Sequence, residues 1–353
     1  MADRLILSQS DQILGGDALM VLVTGTALAK HLTQARPDVH WKIFTCEHFY
    51  LTAVVNALSE GNEDAADGAD VELYCTPDLP AGSFDTVVFP TDSRGSSELT
   101  RDLLQSVSEQ LKDTGRLIIS TNNARDHRLH EHLKKTFGRT TVIRDPQGIC
   151  YIARKNEKAV KPKDFRCEFA FRDNERLIRC VSRPGVFSHR RVDAGARALI
   201  RSLDLLAEDA AFRGRPLKRI LEMGCGCGAV SAAAALRYPD ARVLAVDSHA
   251  RAVQATQDTA ALNDITNVSV MLTSNGVVPD SGQHDLFLCN PPYYSDFRIS
   301  ELFLQSAAEA VRPGGRIHLV TKLTDWHENR MIELFANATV HRFGEYDVVV
   351  SRH

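Results

Sequence analysis

The sequence has no apolar run long enough to cross a bilayer: its hydrophobic stretches are short and broken by Gly, Thr or charge. Its start, MADRLILSQSDQ, sets Asp3 and Asp11 around a brief apolar run, which is not the pattern of a signal peptide. A cysteine framework is also lacking. The eight cysteines, at 46, 75, 150, 167, 180, 225, 227 and 289, follow no repeated spacing, and 353 residues can bury a core without disulfides. Reduced thiols and a cytoplasmic location are therefore expected. Nor is there an excess of one charge, since 42 Lys and Arg meet 45 Asp and Glu. A net charge of −3 excludes a protein that coats nucleic acid with its whole surface, though not a local basic patch. Hydrophobic residues at 44% and charged ones at 25% exclude disorder, collagen and coiled coil.

What the sequence does contain is an internal echo. Its length allows one large α/β domain or two of about 175 residues each. Residues 103–120, LLQSVSEQLKDTGRLIIS, match residues 303–320, FLQSAAEAVRPGGRIHLV. At a constant offset of 200, Leu104, Gln105, Ser106, Glu109, Gly115 and Arg116 recur as Leu304, Gln305, Ser306, Glu309, Gly315 and Arg316. FDTVVFPT (84–91) likewise faces HDLFLCNP (284–291), and both halves end with a Phe, a Thr-Val pair and a β-rich run. Three blocks in one order argue for a duplicated domain.

Between the halves the charge shifts. From Arg154 to Arg191 twelve Lys and Arg stand against five Asp and Glu, so this joint carries +7 and the remainder −10. Its first part, RKNEKAVKPKDF, reads as a linker with a boundary near residue 160, and it predicts salt-sensitive RNA affinity. Glu60 to Glu72 holds six acids and no base and reads as a solvated loop. The division expected is 1–155, a basic linker and lead-in segment at 156–180, and 181–353.

Each half alternates short β-like runs with helical stretches. RILEM, RVLAV, VSVML, DLFLC and RIHLV mark the second half, and ALMVLVTG, WKIFT, VELYC, FDTVVFP and RLIIS the first. Such alternation implies a mostly parallel sheet covered on both faces. ATVHRF and YDVVVS around Gly344 add an antiparallel hairpin. The fold class is thus α/β, two tandem Rossmann-like domains.

The sharpest local motif is Glu222-Met-Gly-Cys-Gly-Cys-Gly-Ala, between RILEM and an Ala-rich helix. Gly224, Gly226 and Gly228 let the backbone turn and approach a ligand, and the helix start beyond favours an anionic group. Asp247 closes the next strand, where a carboxylate can hold both hydroxyls of a ribose. GCGCGA fits the loose dinucleotide pattern, so NAD stays open here beside S-adenosylmethionine. Cys225 and Cys227 stand too close together for a zinc loop and read as small residues filling the turn; no metal is expected.

Asn290-Pro-Pro-Tyr293 follows the strand DLFLC, so it should share a cleft with the glycine loop. An amino group conjugated to a π system is a poor nucleophile because its lone pair is delocalised. The Asn290 Oδ1 and the Pro291 carbonyl can accept its two N–H bonds, while Pro291 and Pro292 stiffen the backbone. Tyr293 offers a face for stacking. Methyl transfer then needs positioning more than a strong base.

Glu222-x-Gly-x-Gly-x-Gly with Asn290-Pro-Pro-Tyr resembles the amino-methyltransferase branch of the class I fold. A third block, Pro184-Gly-Val-Phe-Ser-His-Arg-Arg-Val-Asp193-Ala-Gly195, is similar to the lead-in of the small-subunit ribosomal RNA guanine-N2 methyltransferase family. The resemblance implies transfer from S-adenosylmethionine to the N2 of a guanine in 16S ribosomal RNA. It implies a cofactor set of Glu222, Gly224, Gly226, Gly228, Asp247, Ser274, Asn275, Asn290 and Phe187. The transfer set is Asn290, Pro291, Pro292 and Tyr293. Phe187 is either core or a lid over the cofactor; His189, Arg190 and Arg191 either meet phosphates or form a solvated turn. His127, His130 and His132 read as surface helix. That family usually follows Asn-Pro-Pro with Phe and His, where Tyr293, Tyr294 and Ser295 stand here.

The family also carries a degenerate first domain. Val23-Thr-Gly25-Thr-Ala has one glycine, and Pro90-Thr91 stands in place of Asn290-Pro291. The first half is therefore expected to bind neither cofactor nor base. The partners expected are ribosomal RNA or a small-subunit assembly intermediate, no membrane is involved, and the protein is a monomer. Transfer to adenine N6 or to a glutamine, and a non-catalytic RNA-binding or ribosome-assembly role, are the rival readings.

Overall fold

A computed structural model of the chain describes residues 2–59, 70–155, 161–208, 216–292 and 295–353. Two units, Met1–Phe165 and Arg166–His353, make it up. In the first, α1 (Ala2–Leu7), β1 (Gly16–Val21), α2 (Ala27–Ala35), β2 (Val39–Thr45), α3 (His48–Ser59) and β3 (Val71–Cys75) come in succession. After them come β4 (Phe84–Thr91), α4 (Ser97–Gln110), β5 (Leu111–Thr121), α5 (Arg128–Thr136), β6 (Thr140–Asp145) and β7 (Gly148–Arg154). The second unit opens with β8 (Cys167–Asp173) and β9 (Arg176–Ser182), then α6 (Ala194–Ser202), α7 (Leu205–Glu208) and β10 (Arg219–Met223). It continues through α8 (Ala229–Arg237), β11 (Arg242–Asp247), α9 (Ala250–Leu262), β12 (Val268–Leu272) and β13 (His284–Cys289). It closes with α10 (Arg298–Ala310), β14 (Val311–Thr321), α11 (Thr324–Phe335), β15 (Thr339–Phe343) and β16 (Tyr346–Arg352).

Each unit holds one seven-stranded sheet, ordered β3-β2-β1-β4-β5-β7-β6 and β12-β11-β10-β13-β14-β16-β15. Both are the expected mostly parallel sheets, and each ends with an antiparallel hairpin whose last strand inserts beside β5 or β14. Strands covered on both faces are mostly apolar, and β13 is buried at all six positions, His284 and Asp285 included. Alternate residues feed opposite cores. Ile220, Leu286 and Leu288 join the core that includes the α8 alanines, while Leu221, Met223, Phe287 and Cys289 join the one containing Phe303 of α10 and Met331 of α11. Alanine carries so little side chain that α8 buries every residue from Ala229 to Ala235.

β10 pairs with β11 on one side and β13 on the other, so the chain reverses its direction of travel across the sheet at this strand. Met223 lies opposite Cys289, and the loops leaving β10 and β13 therefore start side by side. In an open α/β sheet this is where ligands bind.

Part of the segment expected as linker and lead-in is folded. Residues 167–182 form the antiparallel hairpin β8–β9, registered from Cys167↔Ser182 to Asp173↔Arg176. Phe171, Ile178 and Cys180 face inward while Arg172 and Arg179 face out; Arg176, in the inward register at the turn end, donates to the Leu236 carbonyl at 2.7 Å. The hairpin is tied to α9 by the Val181 N–H on Thr259 Oγ1 (3.0 Å) and to Asn263, which accepts from the Arg179 N–H and donates to its carbonyl. The density of arginine suggested a linker; its period of two is that of a strand with one wet face. Arg237 at the end of α8 adds an ion pair to Asp173 at 2.5 Å. Among the described residues no helix is long and apolar enough to cross a membrane.

Candidate functional site

The loop after β10 is shaped by positive backbone angles: φ is 82° at Gly224, 55° at Gly226 and 77° at Gly228. The N–H groups of Gly224 and Cys225 donate to the Val246 carbonyl at 2.8 and 3.0 Å, anchoring the turn to β11. Gly228 starts α8, and a Cβ there would lie 2.9 Å from the Thr256 Cα, so helix α9 can approach only a glycine. Gly226 has open space where a Cβ would project. Cys225 and Cys227 are buried in the turn, Cys225 accepting from Thr256 Oγ1 at 3.2 Å. No cluster of three or more metal-ligating side chains exists among the described residues.

Two carboxylates flank this loop. Asp247, at the end of β11, accepts from the Gly226 N–H and the His249 N–H, each at 2.9 Å. Burial raises its pKa, and those N–H bonds pull it back. Glu222 is fully enclosed, and burial pushes its pKa up to about 8 against the opposing hydrogen bond from Ser231. A buried carboxyl of this kind favours a cationic ligand group, which would restore its charged form. Beside Asp247, His249 caps α9 by accepting from the Arg251 N–H, and burial pushes its pKa down to about 3, so it stays neutral.

Asn290 follows β13 and lines the same cleft as Glu222, Gly224, Gly226, Asp193 and Phe187. Its Nδ2 donates to Asp193 Oδ2 at 3.2 Å. Pro291 is buried and Pro292 half-buried. Tyr293 lies outside the described residues. Phe187 is 68% exposed, which removes it from the core and leaves its ring at the cleft. Ser274 and Asn275 follow β12 next to Asp247, whose carbonyl accepts from the Thr273 N–H at 3.1 Å. The Asn275 side chain turns back on its own loop, accepting from Thr273 Oγ1 and the Val277 N–H. His189 bonds Ser182 Oγ at 2.6 Å, while Arg190 and Arg191 are exposed. His130 stacks on Tyr151 at 5.3 Å, and His127 and His132 lie at either side of it in the same segment.

A wider recess, lined by Leu206, Leu217, Arg237 and Tyr238, opens at the amino ends of β10 and β11, the opposite edge of the sheet. The sequence reading missed Ser231, which is one small residue in an alanine helix, and Asp193, which stands 97 residues from the amide it holds.

The first unit can be placed residue by residue on the second through its strand registers. Met20 faces Val88 and Ile43 as Glu222 faces Leu288 and Ala245. In that frame Met20 replaces Glu222, Thr45 replaces Asp247, and Pro90 replaces Asn290. Leu22, Thr24 and Thr26 replace the three glycines, and the lone Gly25 falls on Cys227. Thr45 still receives the N–H two residues on, at 3.0 Å, as Asp247 does, so the turn outlives the carboxylate.

The sheet order, the glycine loop and an Asn-Pro-Pro turn at adjoining strand ends define a class I methyltransferase fold. Residues 177–350 match the family model described as Methyltransferase small domain. That match lies within the second unit and takes in just under half of the chain. Over 147 residues it is 36% identical to the ribosomal RNA small subunit methyltransferase C of Pseudomonas entomophila, covering 40% of this chain and 41% of that protein. Over 170 residues it is 33% identical to the protein of the same name from Pseudomonas putida strain W619, covering 47% of this chain and 48% of that one. The chain thus spans less than half the length of these relatives. The structure of the T. thermophilus 16S rRNA N2 G1207 methyltransferase, solved with AdoMet and guanosine, is similar with a TM-score of 0.79. That likeness covers 99% of this chain and 91% of the other at 18% identity, and it is a likeness of fold.

Proposed function

We propose that the C-terminal unit transfers a methyl group from S-adenosylmethionine to the exocyclic N2 of a guanine in small-subunit ribosomal RNA. The observation that carries this reading is the register of β10 with β13, which sets the Glu222–Gly228 loop beside an Asn290 whose Nδ2 is already engaged. The match of the second unit to the family model supports the reaction class. The names of the relatives, and the guanosine bound by the T. thermophilus protein, support the acceptor.

The residues present fit the cofactor. Glu222 meets the methionine ammonium, whose charge compensates a carboxyl that burial alone keeps protonated. Asp247 accepts from the ribose hydroxyls with the lone pairs its two N–H partners leave. Gly226 leaves room for close approach. Bound here, S-adenosylmethionine would supply a methyl carbon made electrophilic by its sulfonium. Asn290 Oδ1 and the Pro291 carbonyl accept the two N–H bonds of the guanine amine and aim its lone pair. Tyr293 supplies the stacking face, and Phe187 covers the cleft. Holding two reacting groups in line supplies most of what such a step needs.

The first unit, with Met20, Thr45 and Pro90 at the three decisive positions, serves placement and binds neither cofactor nor base. Tritiated methyl transfer onto ribosomal RNA, free and assembled, followed by nucleoside analysis, tests the whole reading. N2-methylguanosine is expected; N6-methyladenosine, or a product in protein alone, would overturn the acceptor.

A further inference from the structure

We infer that Asp193 is a positioning residue for this transfer, holding the Asn290 carboxamide in one of its two flips. The inference rests on the proposed reading and concerns how that site is kept ready. Asp193 is the N-cap of α6, and its Oδ2 accepts from the Gly195 N–H at 2.8 Å and the Ala196 N–H at 3.3 Å. The same oxygen accepts from Asn290 Nδ2 at 3.2 Å. A carboxylate can only accept, so the amide must turn its NH2 toward Asp193. That leaves Oδ1 as the amide atom available to the cleft. The opposite flip would set an NH2 against the two N–H bonds of the target amine, donor facing donor.

Gly195 makes the contact sterically available. A Cβ at that position would come within 2.8 Å of Asp193 Oδ2 and 3.2 Å of both Asn290 Nδ2 and Oδ1. Capping alone asks for none of this. Serine caps a helix as well as aspartate does, and so does asparagine. Asparagine would set its carbonyl oxygen under the two cap N–H bonds in the place of Oδ2, and so would keep an acceptor before Asn290 Nδ2 and the same flip.

The experiment compares the full chain with Asp193→Ser, Asp193→Asn and Gly195→Ala. The Asn290 side-chain amide signals are identified in a 15N spectrum by their loss in Asn290→Ala. In Asp193→Ser the melting temperature and cofactor affinity should hold, KM for RNA should stay put, and kcat should fall on the order of 10²-fold. In the protein without cofactor, the two Asn290 amide protons should move toward each other and exchange faster. Gly195→Ala should reproduce that spectral change with Asp193 intact. Asp193→Asn keeps an acceptor before Asn290 Nδ2 and should retain the parent's kcat and Asn290 signals; if Asp193→Ser destabilises the fold, Gly195→Ala supplies the comparison with the cap residue intact. Unaltered Asn290 signals together with unaltered kcat would reduce Asp193 to a helix cap. Should the parent methylate no guanine while its Asn290 amide is still locked by Asp193, the acceptor is wrong and the positioning stands. A parent that methylates guanine no faster than Asp193→Ser overturns the positioning alone.

Discussion

On the proposed reading Asn290 and Asp247 divide the work of the cleft, and their variants should separate it. Asn290→Ala removes an acceptor that matters only while the base is being aligned. We expect kcat to fall on the order of 10²- to 10³-fold with cofactor affinity unchanged, as for loss of one preorganised polar contact. Asp247→Ala should weaken cofactor binding first, seen by calorimetry. Equal loss of both properties in both variants would defeat the division. Glu222 gives a pH signature. In the unfolded chain it ionises near 4.5 and in the folded one near 8, so the folded state keeps a proton over that interval. Its contribution to stability is greatest below pH 4.5 and declines as the pH rises toward 8. The melting temperature of Glu222→Gln should therefore gain on the parent's from pH 5 to pH 8, and a constant difference would contradict the buried carboxyl. Individual residues of this kind were legible wherever chemistry is written in adjacent letters, as in Glu222-x-Gly-x-Gly-x-Gly and Asn290-Pro-Pro. Asp193 was not, because its partner is set by folding rather than by spacing.

Elements were legible where burial leaves one pattern. The runs RILEM and DLFLC sit between layers, are largely apolar on both faces, and stand in the sheet as β10 and β13. The hairpin β8–β9 was hidden by composition: counting arginines along 167–182 obscures that every second residue points inward. Its packing can be measured. Ile178 is fully buried, whereas Leu177 beside it is 56% exposed. Ile178→Ala should cost about 2–4 kcal/mol in urea unfolding of the full chain, against a few tenths for Leu177→Ala. Equal effects would return the hairpin to the status of a linker. The basic joint is thus in part a folded surface, with Arg172 and Arg179 displayed on the outer face of the hairpin.

At the scale of the molecule, the constant offset of the repeated blocks anticipated two sheets of the same order. It did not reveal how completely the first had changed, since the decisive replacements fall one at a time at strand ends. Only paired strands show Met20 in the place of Glu222. That replacement has a thermal consequence. Met20 is wholly buried and uncharged, so the central strand of the first sheet encloses no carboxyl at a cost in desolvation. The central strand of the second sheet encloses one, Glu222, with three left-handed glycines at the turn beside it. Scanning calorimetry should therefore resolve two transitions, with S-adenosylmethionine raising only the lower; a cofactor that raised both would mean the first unit still binds it. On the proposed reading the half relieved of chemistry is expected to be the more durable, and the half that holds the cofactor to melt first.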